Sequence, residues 1–389
     1  MNTMSTTLKV LHVASFMGNI GDNANHCGMR SVLAENLGCE LAFTELEIRK
    51  CYANYAAADR WAFDDEFVDL ANAHDLVLVG GGNYFELRHS YSSTGTTIDI
   101  TPERMAKIKT PLVFNALGCD VGAGVTDENV AKFGRFLDAA MDMKTCLVSL
   151  RNDGAMGTLE RIYGKKYSDH VYHVADGGFF TRVPERAYPE LPDGCDFVVV
   201  NAAVDMEDVR FPGRDGLLSH EAFCTEFADV IGRLLDGHPT VHLLFAPHMF
   251  SDLKAMSRVM DAMPDHFLRD RVSSLPMLHG QNGHDYVFGV YQRALFSMGF
   301  RFHSNVCPVA LGTPSIGLVS YPQVAYLYEE LGMPERAVRV NRPGFGEPLG
   351  QLIDATIAGA GNIRARYADV VRSLRAEVDV LHKDIAALL

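Results

Sequence analysis

The chain has 389 residues, of which 48% are hydrophobic and 22% are charged, a composition typical of a soluble globular protein with enough apolar residues for two cores. Its formal charge of −14 disfavours an extended nucleic-acid-binding surface, because such binding depends on cations that neutralise phosphates. The eight cysteines include no CxxC pair, so neither a zinc site nor a disulfide framework is indicated.

The N-terminal stretch "MNTMSTTLKVLHVASFMG" has a single Lys and an apolar run that His12 and Ser15 interrupt. It therefore lacks the long apolar core of a signal peptide. No stretch of the chain reaches the roughly 18 apolar residues that a membrane-spanning helix needs. We expect a cytoplasmic protein without a membrane span.

Short runs rich in Val and Leu recur along the chain and alternate with helix-like segments, which indicates parallel sheets covered on both faces. In chain order the main runs are "LKVLHVAS", "DLVLVGGG", "PLVFNALG", "CLVSLR", "HVYHVADGG", "DFVVVNAA", "TVHLLFAPH", "ALFSMGFRFH" and "PSIGLVSY". The fold class predicted from them is α/β, with two Rossmann-like doubly wound domains that face each other across a cleft and a C-terminal helix. Ligands in such sheets bind beyond the carboxyl ends of the strands.

A proline-rich, charged segment at 182–196, "RVPERAYPELPDGCD", separates two series of strands and is predicted to be a linker. We place the domain boundary near residue 190. The predicted ranges are 1–190 for an N-terminal domain on the acceptor side, 191–345 for a C-terminal domain on the donor side, and 346–389 for a helical segment.

The loop "GNIGDNANHCGMR" follows the first strand. Gly18 and Gly21 are expected to allow a tight turn, and Asp22 or Asn23 to cap a helix that runs to about residue 37. Such a turn is often purely structural, but its amide groups could bind an anion or sugar hydroxyls. Asn19, Gly21 and Asn23 are therefore candidate ligand contacts.

Two further candidates lie at strand ends in the N-terminal half. The run "LVLVGGGNYFE" places Gly81, Gly82 and Asn83 after a strand, either for a close backbone approach to a ligand or as a tight turn under a helix. "VSLRND" places Arg151 at a strand tip, where it could bind a ligand or form a surface ion pair.

"LLFAPHMFSDLKAM" places His248 at a strand tip with Asp252 four residues later. Two ligands without a third make a metal site improbable. The remaining interpretations are a carboxylate that orients the imidazole and, favoured over it, a helix cap.

In "GFRFHSNVCPVALGTP" the predicted strand continues through His303, so that Arg301 and His303 share one face while two phenylalanines share the other. A guanidinium beside an imidazole suits a ligand that carries a carboxylate or phosphate and also needs a proton. Ser304 and Asn305 follow as candidate ligand contacts.

The last segment carries an apolar seam whose steps alternate between four and three residues, as on one face of a packed helix. The seam either packs on its own chain, the interpretation we favour, or forms a homodimer contact. Its members are Tyr367, Val371, Leu374, Val378, Leu381, Ile385 and Leu388.

The ordered motifs "GNIGDNA", "LVLVGGGN", "VSLRND", "APHMFSD" and "GFRFHSNVCPVALGTPSIGLVSY" resemble the polysaccharide pyruvyl transferase family over roughly residues 12 to 325. The resemblance implies a GT-B-like pair of Rossmann-like domains. It also implies transfer of an enolpyruvyl-derived group from phosphoenolpyruvate to the hydroxyls of a sugar or glycan precursor, where it forms a ketal, with no metal or cofactor.

Carried over by residue, Arg301 and His303 match the family's R-x-H, Arg151 its S-L-R, and Asp22 its G-D. The resemblance implies that arginines bind the donor and that His303 protonates the methylene carbon. A sugar hydroxyl then attacks, with Asp22 as its base or as an orienting group. Gln323 stands where the family often has a Lys shortly after the tyrosine that matches Tyr321, which leaves another anionic donor open.

Two alternatives belong to other classes. A GT-B nucleotide-sugar glycosyltransferase would share the fold, and fold does not fix function. A paired acidic motif for the ribose would favour it, and none is evident in the sequence. The second alternative is a non-catalytic carbohydrate-binding protein with a degenerate site.

Overall fold

A computed structural model of the chain describes residues 7–122, 124–188, 191 and 194–389. Contacts divide the chain into two compact units. Unit 1 is built from residues 7–16, Gly28–Gly177 and Ser373–Leu389, and unit 2 from Met17–Cys27 and Gly178–Arg372. The predicted boundary at residue 190 lies outside the described residues, so the predicted domain ranges stay a prediction. The described part of the predicted linker before it, 182–188, has no regular secondary structure.

Unit 1 contains a six-stranded parallel sheet in the order β2-β1-β3-β5-β7-β8, together with a small β4-β6 pair. The elements in chain order are β1 (Thr7–Ala14), α1 (Ile20–Leu37), β2 (Glu40–Glu47), α2 (Asp65–Asn72), β3 (Leu76–Gly80), β4 (Phe85–Glu86), α3 (Pro102–Met105), β5 (Leu112–Leu117), β6 (Cys119–Asp120), α4 (Asp127–Asp142), β7 (Cys146–Arg151), α5 (Ala155–Tyr163) and β8 (Tyr172–Val174). Helix α1 begins in unit 2 and continues into unit 1.

Unit 2 contains a second six-stranded parallel sheet in the order β11-β10-β9-β12-β13-β14. Its elements are β9 (Asp196–Asn201), α6 (Glu207–Arg210), α7 (His220–Gly237), β10 (Val241–Phe245), α8 (Phe250–Asp261), α9 (Asp265–Asp270), β11 (Val272–Ser274), α10 (Gly280–Arg293), β12 (Phe296–Gly299), α11 (His303–Leu311), β13 (Ser315–Val319), α12 (Pro322–Glu330), β14 (Ala337–Arg339) and α13 (Gly346–Leu388), whose last turns belong to unit 1. The sequence order of these strands across the sheet is the 3-2-1-4-5-6 of a Rossmann fold.

Both sheets are buried by helices, as their near-continuous apolar strands predict. Strands β3 and β5 are buried at every position. The core of unit 1 packs around Phe114, Phe133 and Phe136, and one core of unit 2 packs around Phe223 and Phe227. The predicted fold class, two Rossmann-like doubly wound domains and a C-terminal helix, is confirmed.

The strand predicted through His303 is the main error at the level of elements. Strand β12 ends at Gly299, and α11 begins at His303 after a short bend. Arg301 and His303 therefore do not share the face of a strand. Phe300 is 1% exposed and packs into the core of unit 2, so burial of this apolar side chain fixes where the chain turns.

Five of the seven residues of the C-terminal seam are buried within the chain, and Val371 and Leu388 are partly buried. Leu381 and Ile385 have no exposed surface, and Leu374 and Val378 are less than a tenth exposed. The hydroxyl of Tyr367, also fully buried, lies 3.0 Å from the Ser315 hydroxyl. The seam therefore packs on its own chain, as favoured, and the homodimer contact stays an untested prediction.

Candidate functional site

The strongest polar cluster of unit 2 lies at the carboxyl ends of β9 and β12. These two strands are neighbours in the sheet, where Gly299 is opposite Asn201. The strand order reverses between them, and this switch point is where open α/β sheets bind ligands. The Asn201 side chain accepts a hydrogen bond from the backbone N–H of Arg301 at 3.1 Å, which holds the bend after β12 against β9.

Arg301 is enclosed by two carboxylates. Its Nε donates to both oxygens of Asp252 at 2.9 Å, and its Nη2 donates to Asp252, to Asp205 at 2.9 Å and to the Ser251 hydroxyl. The Asp252 side chain is fully buried, whereas that of Asp205 is 32% exposed. Burial alone would lower the pKa of Arg301, but the two carboxylates outweigh burial and raise it. The guanidinium is therefore positioned and permanently charged, with the Asp205 side of its surroundings open to solvent.

Asp252 organises this end of the sheet. It accepts hydrogen bonds from Asn201 Nδ2 at 3.1 Å and from the backbone N–H groups of His248 and Met249 at 2.9 and 3.2 Å. It thus caps the N-terminus of α8, and a helix cap is the role that we favoured from the sequence. It does not orient the imidazole of His248, because it contacts that residue through the backbone.

His248 is a buried, neutral link between two loops. Its carbonyl accepts from the backbone N–H of Ile20, and its Nε2 lies 3.1 Å from the Tyr291 hydroxyl. Burial, reinforced by the nearby Arg301 and His303, holds the pKa of His248 well below its usual range. Burial likewise raises the pKa of Tyr291. A ligand role for His248 stays a prediction.

His303 begins α11, and its ring packs on Gly21. A Cβ built on Gly21 would lie 2.6 Å from Nδ1 of His303, so only glycine allows this approach. Asp22, beside Gly21, accepts from Asn19 Nδ2 at 3.1 Å. Gly21 and His303, which are 282 positions apart in the chain, are thereby brought together.

The predicted helix cap in this loop is wrong. Because α1 begins at Ile20, Asp22 and Asn23 lie within its first turn. Asn19 takes the capping position instead, and its Oδ1 accepts from the backbone N–H of Gly21 at 3.0 Å. Gly18, with φ of +88°, supplies the turn before it.

Ser304 and Asn305 are fully buried and serve the bend itself. The Ser304 hydroxyl donates to the Arg301 carbonyl at 2.7 Å, and Asn305 Nδ2 donates to the carbonyls of Gly299 and Arg301 at 3.1 and 2.8 Å. These contacts make both side chains positioning residues of the bend. Direct contact with a ligand is untested.

Arg151 lies in unit 1, at the carboxyl end of β7. Its Nε donates to Asp153 at 2.6 Å, and its Nη1 lies 3.5 Å from Asp176. All three side chains are 4% exposed or less. Arg151 does form ion pairs, as the alternative interpretation expected, but they are buried and not at the surface. A ligand role for Arg151 remains a prediction.

Other residues of the chain occupy the space beside Gly80, at the end of β3, and Gly82, just after it. A Cβ on Gly80 would lie 2.1 Å from the Asn115 carbonyl oxygen, and a Cβ on Gly82 would lie 2.5 Å from the Tyr84 ring. Gly81 has φ of +73°. These contacts favour the tight-turn interpretation, although the short strand β4, not a helix, follows. Asn83 lies beside this turn, and a Cβ on Gly118 would lie 2.5 Å from its Oδ1.

Sequence reasoning missed Asn201 and Asp205. "NAAVD" follows an apolar strand, and polar residues just beyond a strand end are the signal that could have identified both. No group of three or more His, Cys, Asp or Glu that could hold a metal ion occurs in the part of the chain that the structure describes. All eight cysteines are free thiols. Among the described helices, none is long and apolar enough to cross a bilayer.

No protein-family model and no curated protein sequence matches the chain. Solved structures do match. A UDP-GlcNAc 2-epimerase from Neisseria meningitidis bound to UDP-GlcNAc has 12% identity and a TM-score of 0.54, with 93% of this chain and 94% of that chain covered. A structure described as a UDP-N-acetylglucosamine 2-epimerase from Listeria monocytogenes has 11% identity and a TM-score of 0.55, with 94% and 91% covered.

A third structure, the UDP-GlcNAc 2-epimerase from Methanocaldococcus jannaschii, has 10% identity and a TM-score of 0.50, with 90% of this chain and 93% of that chain covered. At these identities the likeness concerns the fold. The chain shares with these structures a fold built from two Rossmann-like units.

Proposed function

We propose that the protein is a transferase that binds an anionic donor at the carboxyl ends of β9 and β12 and moves a group from it to a sugar. The observation that carries this proposal is the cluster at the switch point of the unit 2 sheet. There Arg301 is held by Asp252, and His303 packs on the loop that carries Asp22. The preorganised guanidinium of Arg301 provides charge and hydrogen-bond donors for phosphate oxygens.

A nucleotide sugar is the donor that the comparisons support better. The neighbours with TM-scores of 0.50 to 0.55 carry names that specify UDP-GlcNAc, and one of them holds it. On this proposal Arg301 interacts with the phosphates. The partly exposed carboxylate of Asp205 repels additional negative charge on the ligand. The acceptor is a sugar hydroxyl.

Pyruvyl transfer is the second candidate, and a specific contact favours it. The residues that match the family's R-x-H and G-D motifs meet in unit 2, through the approach of His303 to Gly21. On this proposal His303 gives a proton to the methylene carbon of phosphoenolpyruvate, and a sugar hydroxyl attacks the resulting oxocarbenium-like carbon. Phosphate then leaves as a second hydroxyl closes the ketal, and each hydroxyl releases one proton.

A thermal-shift comparison of UDP-sugars, GDP-sugars and phosphoenolpyruvate tests the donor. A ligand present at 100 times its Kd stabilises the folded protein by about 2.7 kcal/mol, which is a measurable rise in Tm. Stabilisation by nucleotide sugars alone supports the first proposal, and stabilisation by phosphoenolpyruvate alone supports the second. If neither class stabilises the protein, the donor site proposed here is wrong.

Turnover in heavy water tests the role of His303 if phosphoenolpyruvate is a donor. A solvent-exchanging acid would leave one deuterium in the methyl group of the ketal. His303→Gln keeps some hydrogen bonding but cannot act as the acid, so it should bind donor almost normally and lose about 10² to 10⁴ in rate. Near-normal turnover by this variant would remove His303 from the chemical step, and a product methyl without deuterium would rule out the protonation itself.

A further inference from the structure

A separate cavity of about 680 Å³ lies within unit 1, away from the cluster of Arg151. It is formed by the end of β2, the segment between β2 and α2, α2 itself, and the segment between β4 and α3. Strand β2 is the edge strand of the unit 1 sheet, and the pocket begins at its carboxyl end. Its volume falls in the range of small-molecule sites, roughly 300 to 1,000 Å³. We call it the edge pocket, and it is lined by Leu46, Cys51, Ala53, Arg60, Trp61, Ala62, Asp64, Glu66, Phe67, Leu70, Tyr91 and Asp99.

Aromatic side chains provide rigid walls for the edge pocket. The indole N–H of Trp61 donates to the Glu47 carbonyl at 2.8 Å, and its ring stacks on Phe67 at a centroid distance of 5.7 Å. Trp61 is thereby fixed while remaining partly exposed. Tyr91 is 51% exposed although it lines a cavity. Fixed aromatic faces of this kind offer apolar contact at low entropic cost.

Carboxylates provide the polar side of the pocket. Asp64, Glu66 and Asp99 line it, against one cation, Arg60. Asp64 uses one oxygen to accept from the Phe67 N–H at 3.2 Å, and Asp99 uses one to accept from the Ser93 N–H at 2.7 Å. The second oxygen of each of these two carboxylates forms no hydrogen bond to any residue that the structure describes. The Glu66 side chain forms no hydrogen bond or ion pair with any residue that the structure describes.

Arg60 is the one cationic side chain among the residues that line the pocket, and it does not offset the three carboxylates enough to favour anion binding. The guanidinium of Arg60 donates to the backbone carbonyl of Tyr52 at 2.9 Å. Burial, assisted by Asp99, raises the pKa of Cys51 to about 12, so this thiol stays neutral and protonated. The edge pocket therefore has an excess of negative charge, which disfavours phosphates and carboxylates.

We propose that the edge pocket binds a neutral or amino sugar. A sugar ring presents an apolar C–H face that can pack on Trp61 or Tyr91, and hydroxyls that donate to the carboxylate oxygens. A basic amino group on the ring would add a charge-assisted bond. Binding at this site does not depend on the donor proposed above. Its role as a site for the acceptor does rest on the proposed function.

Trp61 makes the proposal directly measurable, because it is the only tryptophan of the chain. Its fluorescence in the full-length protein is titrated with methyl hexosides, with glucosamine, and with spermidine as a cation that is not a sugar. A saturable change with the methyl hexosides or with glucosamine is expected. No saturable change with any sugar overturns the proposal. Spermidine binding at least as tight as that of glucosamine, without binding of methyl hexosides, also overturns it.

Matched variants locate the binding. Tyr91→Ala and Asp99→Asn should each raise the Kd for the sugar about tenfold, by removing one aromatic contact or one charge-assisted bond. Tyr55→Ala and Asp69→Asn are the controls, since Tyr55 is 41% exposed, Asp69 is exposed on α2, and neither lines the pocket. Equal effects of pocket and control variants would overturn the assignment. Donor-induced shifts in Tm are measured separately, so failure of the donor proposal and failure of this one are distinguishable.

Discussion

Arg151 in unit 1 and Arg301 in unit 2 occupy comparable places and differ in their surroundings. Each follows or ends a strand at the carboxyl edge of its sheet, and each is paired with two aspartates. Around Arg151 both carboxylates are buried. Around Arg301 one is buried and the other is one-third exposed. An arginine at the carboxyl end of a strand can thus be fully enclosed, as Arg151 is, or partly accessible to solvent, as Arg301 is. The difference lies in the solvent exposure of the paired aspartates.

The largest expected effect is that of Arg151→Ala. Removal of one partner from a buried ion pair takes a compensating charge away from Asp153 and Asp176, which typically costs about 3 to 5 kcal/mol. Urea unfolding followed by the fluorescence of Trp61 measures the loss in unit 1. Arg161→Ala is the control, because Arg161 is exposed. Unchanged stability with lost donor binding would instead make Arg151 a ligand-binding residue.

Arg301→Lys should act mainly on donor affinity. Lys keeps the charge but not the planar fork, so the variant should lose about 1.5 to 3 kcal/mol of binding free energy for whichever donor stabilises the wild type. Calorimetric titration gives the affinity, with Arg269→Lys as an exposed control in the same unit. If the affinity is unchanged, Arg301 does not contact the donor.

A pH dependence should distinguish buried from exposed histidines of unit 1. Burial lowers the pKa of His382 to about 4, with Asp379 partly opposing the shift. The unfolded chain, with a pKa near 6.5, therefore binds more protons between these values, and stability falls as the pH falls through that window. His382 should account for about 2 kcal/mol of the stability lost between pH 7 and pH 5.

The same unfolding assay at both pH values tests this prediction. His382→Gln should reduce the difference between pH 7 and pH 5 by that amount. His170→Gln should leave it unchanged, because His170 is exposed. A pH dependence that is identical in the His382 variant and the wild type would contradict the prediction.

The smallest expected effect is that of Asp205→Asn. Asp205 is partly exposed and Arg301 keeps its bonds to Asp252, so the free energy of unfolding should fall by only about 1 kcal/mol. Calorimetric unfolding measures it, with Asp208→Asn as the exposed control. A loss as large as that expected for Arg151→Ala would mean that the two arginine clusters are equally closed.

The sequence predicted the apolar strands well and the polar ones poorly. Strands buried at every position, such as β3 and β5, were identified because an apolar run is unambiguous. β2 was missed because it is an edge strand with half of its residues exposed, and β11 and β14 because both are short and neither contains a fully buried residue. Local patterns contain too little information about such elements, which form through pairing with the rest of the sheet.

The site was predicted by residue type more successfully than by geometry. Arg301 and His303 were expected on one strand face, but burial of Phe300 bends the chain between them. The pairing of Arg301 with Asp252 and Asp205 joins residues 49 and 96 positions away. Sequence spacing cannot reveal such pairs, because only the order of strands in the sheet brings them together.

The last turns of α13 have a consequence for synthesis on the ribosome. Asp379 accepts a hydrogen bond from Asn36 at 2.7 Å, across 343 positions of the chain, and the last turns belong to unit 1. Unit 1 thus emerges first but lacks its closing helix until Ser373–Leu389 has been synthesised. Contacts of such separation form late and slow folding. Unit 2, although it is made later, has all its residues once Arg372 has emerged, so the second unit to be translated is the first that can be completed.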